Sequence, residues 1–183
     1  MDESELIAGC LKGSKRHQKA LYDLFSGRMM GLCMRYAASE EEAEDILQEG
    51  FVTVFRKIDT YQGTGELGAW VRKVVLNAAL MNYRRNKKHR FQVDIDEVVH
   101  QPATDDNIFQ QLSARDLLAM VQLLPARCRM VFNLYAVEGY NHREIGEQLE
   151  ISVGTSKSQF SRARHLLKEM IAHESNRVRG NTR

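Results

Sequence analysis

Ala43, Ile46, Leu47, Phe51, Val54, Phe55 and Ile58 recur at intervals of three and four. That spacing lines them along one stripe of an α-helix and would split them between the two faces of a strand. Ser39, just ahead of them, reads as an N-cap, and the acids behind it suit the positive end of a helix dipole. The predicted helix runs from about Glu40 to Ile58.

The same period extends through the chain. Leu21, Leu24, Phe25, Leu32 and Tyr36 keep helical spacing across Lys15–Ala37. Tyr61–Gly68 holds three glycines and reads as a loop. A further helix is expected from about Leu67 to Lys88. Trp70, Val71, Val74, Val75, Leu76, Ala78, Ala79, Leu80 and Met81 make its first part apolar nearly all round, as in a helix packed on several sides. Trp70 shares a face with Val74, Ala78 and Met81 and reads as core. Phe91–Asn107 is acidic, contains Pro102 and has no period, so it reads as a linker. Helical pattern resumes near Ile108, Pro125 marks a break or a first helical turn, and the pattern continues through Val131, Phe132, Leu134 and Tyr135 to Gly139. The tail Ser175–Arg183 is polar and expected to fray. With only 2 prolines and 12 glycines in 183 residues, the expected fold is all-α. The expected order is a helical domain at 5–90, the acidic linker at 91–107 and a second helical domain at 108–174.

Composition excludes several classes. Apolar residues at 43% and charged residues at 27% describe a globular chain. No stretch approaches the roughly 20 apolar residues of a membrane helix, and the acidic N-terminus is no secretory signal. Membrane insertion is therefore not expected. Cys10, Cys33 and Cys128 are widely spaced, odd in number and without a CxxC pair, which fits a reducing cytoplasm better than a disulfide framework.

The net charge of +2 conceals strong segregation. Leu67–Val93 has no acid but carries Arg72, Lys73, Arg84, Arg85, Lys87, Lys88 and Arg90. Phe91–Ala114 has no Lys or Arg but carries Asp94, Asp96, Glu97, Asp105 and Asp106. Ile151–Lys168 is basic again, and Glu40–Glu49 is strongly acidic. Blocks of one sign point to surfaces with different partners.

The C-terminal third carries the sharpest pattern. His142–Leu149 predicts a short helix with Ile145 and Leu149 on one face. Glu150-Ile151-Ser152 is a tight connection, and Val153–Met170 predicts a longer helix. Together they form a helix-turn-helix. Gly146 suits close packing, and Ile151 is expected to plug the space between the helices. Val153, Ser156, Phe160, Ala163, Leu167 and Met170 fall on the packed face of the second helix. Thr155, Ser158, Arg162 and His165 lie opposite, with Lys157 and Arg164 at the flanks. Thr155, Ser158, Gln159 and Arg162 are the expected base readers, and Lys157 and Arg164 the expected phosphate contacts. Glu150 stands where many such units carry glycine; a left-handed conformation there costs about 1 kcal/mol.

These segments resemble a known family. Glu138-Gly139-Tyr140, Glu144-Ile145-Gly146, Ile151–Ser158 and Ser161–Arg164 resemble the C-terminal domain of extracytoplasmic-function (ECF) sigma factors of the sigma-70 family. Ala43–Phe51 resembles their polymerase-docking segment. Gly68–Val74 with Asn77, followed by the Arg84–Arg90 run, resembles the segment that opens promoter DNA. Ser156, Gln159 and Glu150 depart from the common pattern.

The resemblance implies a bacterial sigma factor: a non-catalytic subunit that binds core RNA polymerase, recognises the minus-ten and minus-thirty-five promoter elements and promotes melting. It implies docking on the clamp coiled coil of the polymerase large subunit through Asp45, Gln48, Glu49 and Val52. Glu41, Asp45, Glu49, Val52 and Arg56 lie opposite Leu47 on the helical wheel, where exposed carboxylates beside an exposed valine suit a basic and apolar partner. Tyr61, Gln62 and Asn77 become candidates for holding an unstacked base of the minus-ten element. Arg84, Arg85, Lys87, Lys88 and Arg90 become phosphate contacts. An anti-sigma factor joins core polymerase and promoter DNA among the partners to consider.

Two rivals need naming. A plain regulator with a similar helix-turn-helix would leave the acidic helix and the Trp70 segment unexplained. An enzyme would need a nucleophile triad, metal-ligand spacing or a glycine-rich phosphate loop, and the sequence offers none. No cofactor or metal is expected, and His142 and His165 read as surface residues.

Overall fold

A computed structural model describes residues 2–90 and 114–180, with side chains from 87 to 90, 114 to 115 and 175 to 180 outside the description. The described residues form eight α-helices and no strand, in two compact units within 1–91 and 92–183. The expected linker and Ile108 lie outside the described residues.

The first unit holds four helices. α1 spans Glu3–Leu11, and Asp2 caps it by accepting from the Glu5 N–H at 2.7 Å. This helix is absent from the sequence reading: at nine residues it is too short to show a convincing period. Gly9 lets it fold back, because a Cβ there would lie 2.1 Å from the His17 ring. α2 spans Lys15–Tyr36 and buries Leu21, Phe25, Met29, Leu32, Cys33 and Tyr36. Leu24, assigned to that stripe from sequence, is exposed.

α3 spans Glu40–Lys57, and the Ser39 Oγ accepts from the Glu42 N–H, as the N-cap reading requires. Ala43, Ile46, Leu47, Phe51 and Val54 form its buried stripe, while Phe55 is half-buried. α4 spans Leu67–Arg90 and packs on α2 and α3. A Cβ at Gly50 would come within 3.1 Å of Val75 Cγ2, so glycine permits the close α3–α4 approach. α4 buries Leu67, Val71, Val75, Leu76, Ala78, Ala79 and Leu80. It is not packed all round: Met81 is 56% exposed, and Trp70 and Val74 are half-buried. Its Trp70, Val74 and Met81 stripe is thus left partly or largely open to solvent.

The second unit starts with α5, Ala114–Gln122, and α6, Ala126–Phe132, which begins directly after Pro125. A π-helical turn, Asn133–Val137, follows α6, and Gly139 leaves it at φ +79°. α7 spans His142–Leu149 and α8 spans Val153–Gly180. α8 therefore continues past Met170 into the tail expected to fray; no proline interrupts the stretch. Val121, Leu124, Cys128, Phe132, Ala163 and Leu167 make the core, with Phe160 and Met170 packed against it. Val153, expected on the packed face of α8, is 43% exposed because it is the first residue of the helix.

Candidate nucleic-acid and protein interfaces

The helix-turn-helix is built by local hydrogen bonds. Asn141 and Glu144 form a reciprocal capping box at the start of α7: Asn141 Oδ1 accepts from the Arg143 and Glu144 N–H groups, and Glu144 Oε2 accepts from the Asn141 N–H. Glu150 ends α7 in the left-handed region, φ 56° and ψ 50°. The Glu150 and Ile151 N–H groups both reach the Gly146 carbonyl. A Cβ at Gly146 would sit 2.8 Å from the Ile151 carbonyl oxygen. Glycine is thus needed there for the turn backbone rather than for the second helix. Ile151 itself is half-buried.

Ser152 starts α8 by accepting from the Thr155 N–H at 2.9 Å, and its hydroxyl meets Thr155 Oγ1 at 2.8 Å. Ser158 Oγ donates to the Thr155 carbonyl. Lys157 is exposed, and Thr155, Ser158, Arg162 and Arg164 are half-buried. Arg164 lies 6.0 Å over the Phe160 ring, so its stem is partly fixed by the core.

Gln159 corrects the sequence reading. It is buried, and its Oε1 accepts from Cys128 Sγ at 3.1 Å. It stands three residues after Ser156 and four before Ala163, both fully buried, so it belongs to the packed stripe. Ser156 also turns inward, with Oγ 2.9 Å from His142 Nδ1. The His142 ring stacks on Tyr135 at 4.5 Å and meets Phe160 edge-on at 5.8 Å. Burial, with the nearby Lys157 charge second, pushes the His142 pKa below its ordinary value. His142 is therefore half-buried and part of the α7–α8 joint. A polar residue on the buried stripe of α8 was the available signal for such a partner.

In the first unit, Tyr61 sits at the mouth of the α3–α4 loop. Its Oη donates to the Gly65 carbonyl at 2.7 Å, and its ring packs on Trp70 at 5.7 Å. Gln62 and Asn77 are exposed. Asn77 lines a groove of about 210 Å³ with Glu49, Thr53, Lys57, Val74, Ala78 and Met81.

The basic end of α4 is braced by α3. Glu42 Oε1 accepts from Asn82 Nδ2 at 2.8 Å and from Asn86 Nδ2 at 3.1 Å, while Oε2 accepts from the Ala38 N–H. Arg85 pairs with Glu49 through its two terminal guanidinium nitrogens, at 3.1 and 3.4 Å. Arg84 Nη1 approaches Met81 Sδ at 3.7 Å. The Lys87, Lys88 and Arg90 side chains lie outside the described residues, though their backbone is helical. The sequence reading placed Glu42 only in the acidic helix start and gave Asn82 no role, because the two lie 40 residues apart.

On α3, Asp45, Gln48, Glu49 and Val52 are all exposed, Val52 by 48%. They do not act as one free set. Glu49 reaches across to α4, whereas Gln48 lines a groove toward α2 with Tyr22, Met30 and Leu47. Among the described residues no group of three His, Cys, Asp or Glu side chains could hold a metal, and no helix is long and apolar enough to cross a membrane.

A helical unit with an acid-braced basic helix, joined in sequence to a helix-turn-helix unit, defines a class. The family model for sigma-70 region 2 matches residues 21–89, and that for sigma-70 region 4 matches 114–167. The chain belongs to the sigma-70 family and is an ECF-type sigma factor, a non-enzymatic transcription initiation factor. The region 2 match removes the reading of a regulator that has only a helix-turn-helix.

Among its relatives, the ECF RNA polymerase sigma factor SigE of Mycolicibacterium smegmatis is 32% identical over 153 residues, covering 81% of this chain and 59% of that protein. SigW of Bacillus subtilis is 27% identical over 175 residues, covering 87% and 91%. The sigma factor RpoE of Bartonella quintana, solved with the anti-sigma factor NepR, superposes with a TM-score of 0.50 at 23% identity, covering 84% of this chain and 96% of that one. That likeness supports the fold.

Proposed function

We propose that this sigma factor divides its work between its units as follows. The 5–90 domain docks on the clamp coiled coil of the polymerase large subunit and engages the minus-ten element. The 108–174 domain reads the minus-thirty-five element, and the segment 91–107 connects them. Docking uses Asp45, Gln48, Glu49 and Val52. The loop at Tyr61 and Gln62, with Asn77, takes an unstacked base, and Arg84, Arg85, Lys87 and Lys88 hold the backbone. On α8, Thr155, Ser158 and Arg162 face base edges, and Lys157 and Arg164 face phosphates. The protein works in the cytoplasm.

The observation that carries this reading is the α8 face. Residues 151–168 contain no acid, and the exposed and half-buried positions of the first three turns present hydroxyls, Lys157 and Arg162 just after the helix start. A recognition helix enters the major groove by this end. The test is in-vitro transcription from a promoter library with core polymerase, with and without this protein. Specific transcripts should require its addition. Arg162→Ala should weaken preference at minus-thirty-five positions by about fivefold or more (about 1–3 kcal/mol for a base contact) while leaving nonspecific DNA affinity nearly unchanged. Equal losses on both would remove Arg162 from base readout.

A further inference from the structure

The loop from Tyr61 to Glu66 contains two glycines at positive φ, Gly63 at 69° and Gly65 at 95°. A free segment of this kind has many conformations and loses much entropy on ordering. One side chain closes it. Tyr61 Oη donates to the Gly65 carbonyl at 2.7 Å, spanning the loop from its first residue to its fifth. The Tyr61 ring, tilted 53°, rests on Trp70 in the first turn of α4. The same hydroxyl stands 3.4 Å from Glu3 Oε1 on α1. A phenol has one proton to donate, and the shorter contact takes it. Desolvation, with the Glu3 carboxylate second, raises the Tyr61 pKa above its ordinary value, and a phenol is protonated at neutral pH even without that shift.

Resting on the minus-ten reading above, we infer that Tyr61 is the positioning residue of the base-capture loop rather than a ring on which the base stacks. Its hydroxyl holds the loop in its binding shape before DNA arrives, so the ordering cost is met in advance. The exposed Gln62 and Thr64 side chains and the loop backbone are left to grip the base.

Two substitutions separate the hydroxyl from the ring. Tyr61→Phe keeps the packing on Trp70 and removes the bond to Gly65; Tyr61→Leu removes both. The assay uses holoenzyme from the full chain and core polymerase, on promoters randomised across both elements. Tyr61→Phe should lower base preference at one minus-ten position about fivefold, the worth of one hydrogen bond. Tyr61→Leu should lower it at least as far, and minus-thirty-five preference should stay at the wild-type level in both. Trp70 is the only tryptophan, and its emission in the free chain should shift on Tyr61→Phe, reporting the released loop. Wild-type preference in Tyr61→Phe with loss in Tyr61→Leu would make the ring a stacking platform and overturn the inference. Wild-type preference in both would overturn it as well. Minus-thirty-five preference with no minus-ten preference in the wild type would overturn the loop's role in DNA binding itself.

Discussion

Glu150 is the only non-glycine residue at positive φ among those described. Its Cβ crowds its own backbone there, a cost of roughly 1–2 kcal/mol that glycine does not bear. Glu150→Gly should therefore stabilise the helix-turn-helix by about 1 kcal/mol, seen as a higher urea midpoint at unchanged slope, with DNA preference unaffected. A residue-level rule thus sufficed to flag this position from sequence. It was not enough at position 159. A glutamine looks like a base reader when taken by residue type, and only its register with Ser156 and Ala163 reveals that it packs inward on Cys128. Two of the three positions noted as departures from the common pattern, Ser156 and Gln159, are buried and bond to the half-buried His142 on α7 and the buried Cys128 on α6.

At the scale of elements, the seating of α8 on α7 depends on an aromatic and polar joint of Tyr135, His142, Ser156 and Phe160. His142 has a folded pKa below the ordinary 6.5, so the unfolded chain takes up its proton first. The stability gained from the neutral ring is complete above the unfolded value and is lost as pH falls toward the folded one. Hydrogen exchange of α7 amides should accelerate between pH 7 and pH 5 beyond the intrinsic pH effect on exchange, and His142→Gln should flatten that excess. The long helices α2, α3, α4 and α8 were legible because each repeats its apolar period for several turns. α1 and the π-helical turn were not: one is too short for a period, and the other is a single five-residue turn that continues the apolar pattern of α6.

At the scale of the molecule, the sequence already showed two helical domains separated by a change in charge and period. What it hid was how the surfaces of the first unit share residues. Glu49 sits on the side of α3 proposed for polymerase docking and pairs with Arg85 on α4, the helix proposed to hold DNA. Both partners of that pair are well exposed, so it contributes within about 1 kcal/mol to stability, but changing Glu49 alters both surfaces together. Val52 is the cleaner probe of docking, being exposed and apart from that pair. Val52→Glu should weaken holoenzyme assembly about tenfold, or roughly 1.4 kcal/mol, with thermal stability and minus-thirty-five duplex binding unchanged. Unchanged affinity for core polymerase would move the docking face elsewhere.

Glu42 clamps the first turn of α3 to the last turns of α4, while the Tyr61 loop closes the other end of the same hairpin. An 18-residue helix separates them, about 27 Å. The glycine-bearing end is closed by one exposed hydrogen bond and the basic end by two half-buried ones. If the loop takes a base and the basic end holds a strand, as proposed above, each grip has its own anchor, and loss of one leaves the other standing.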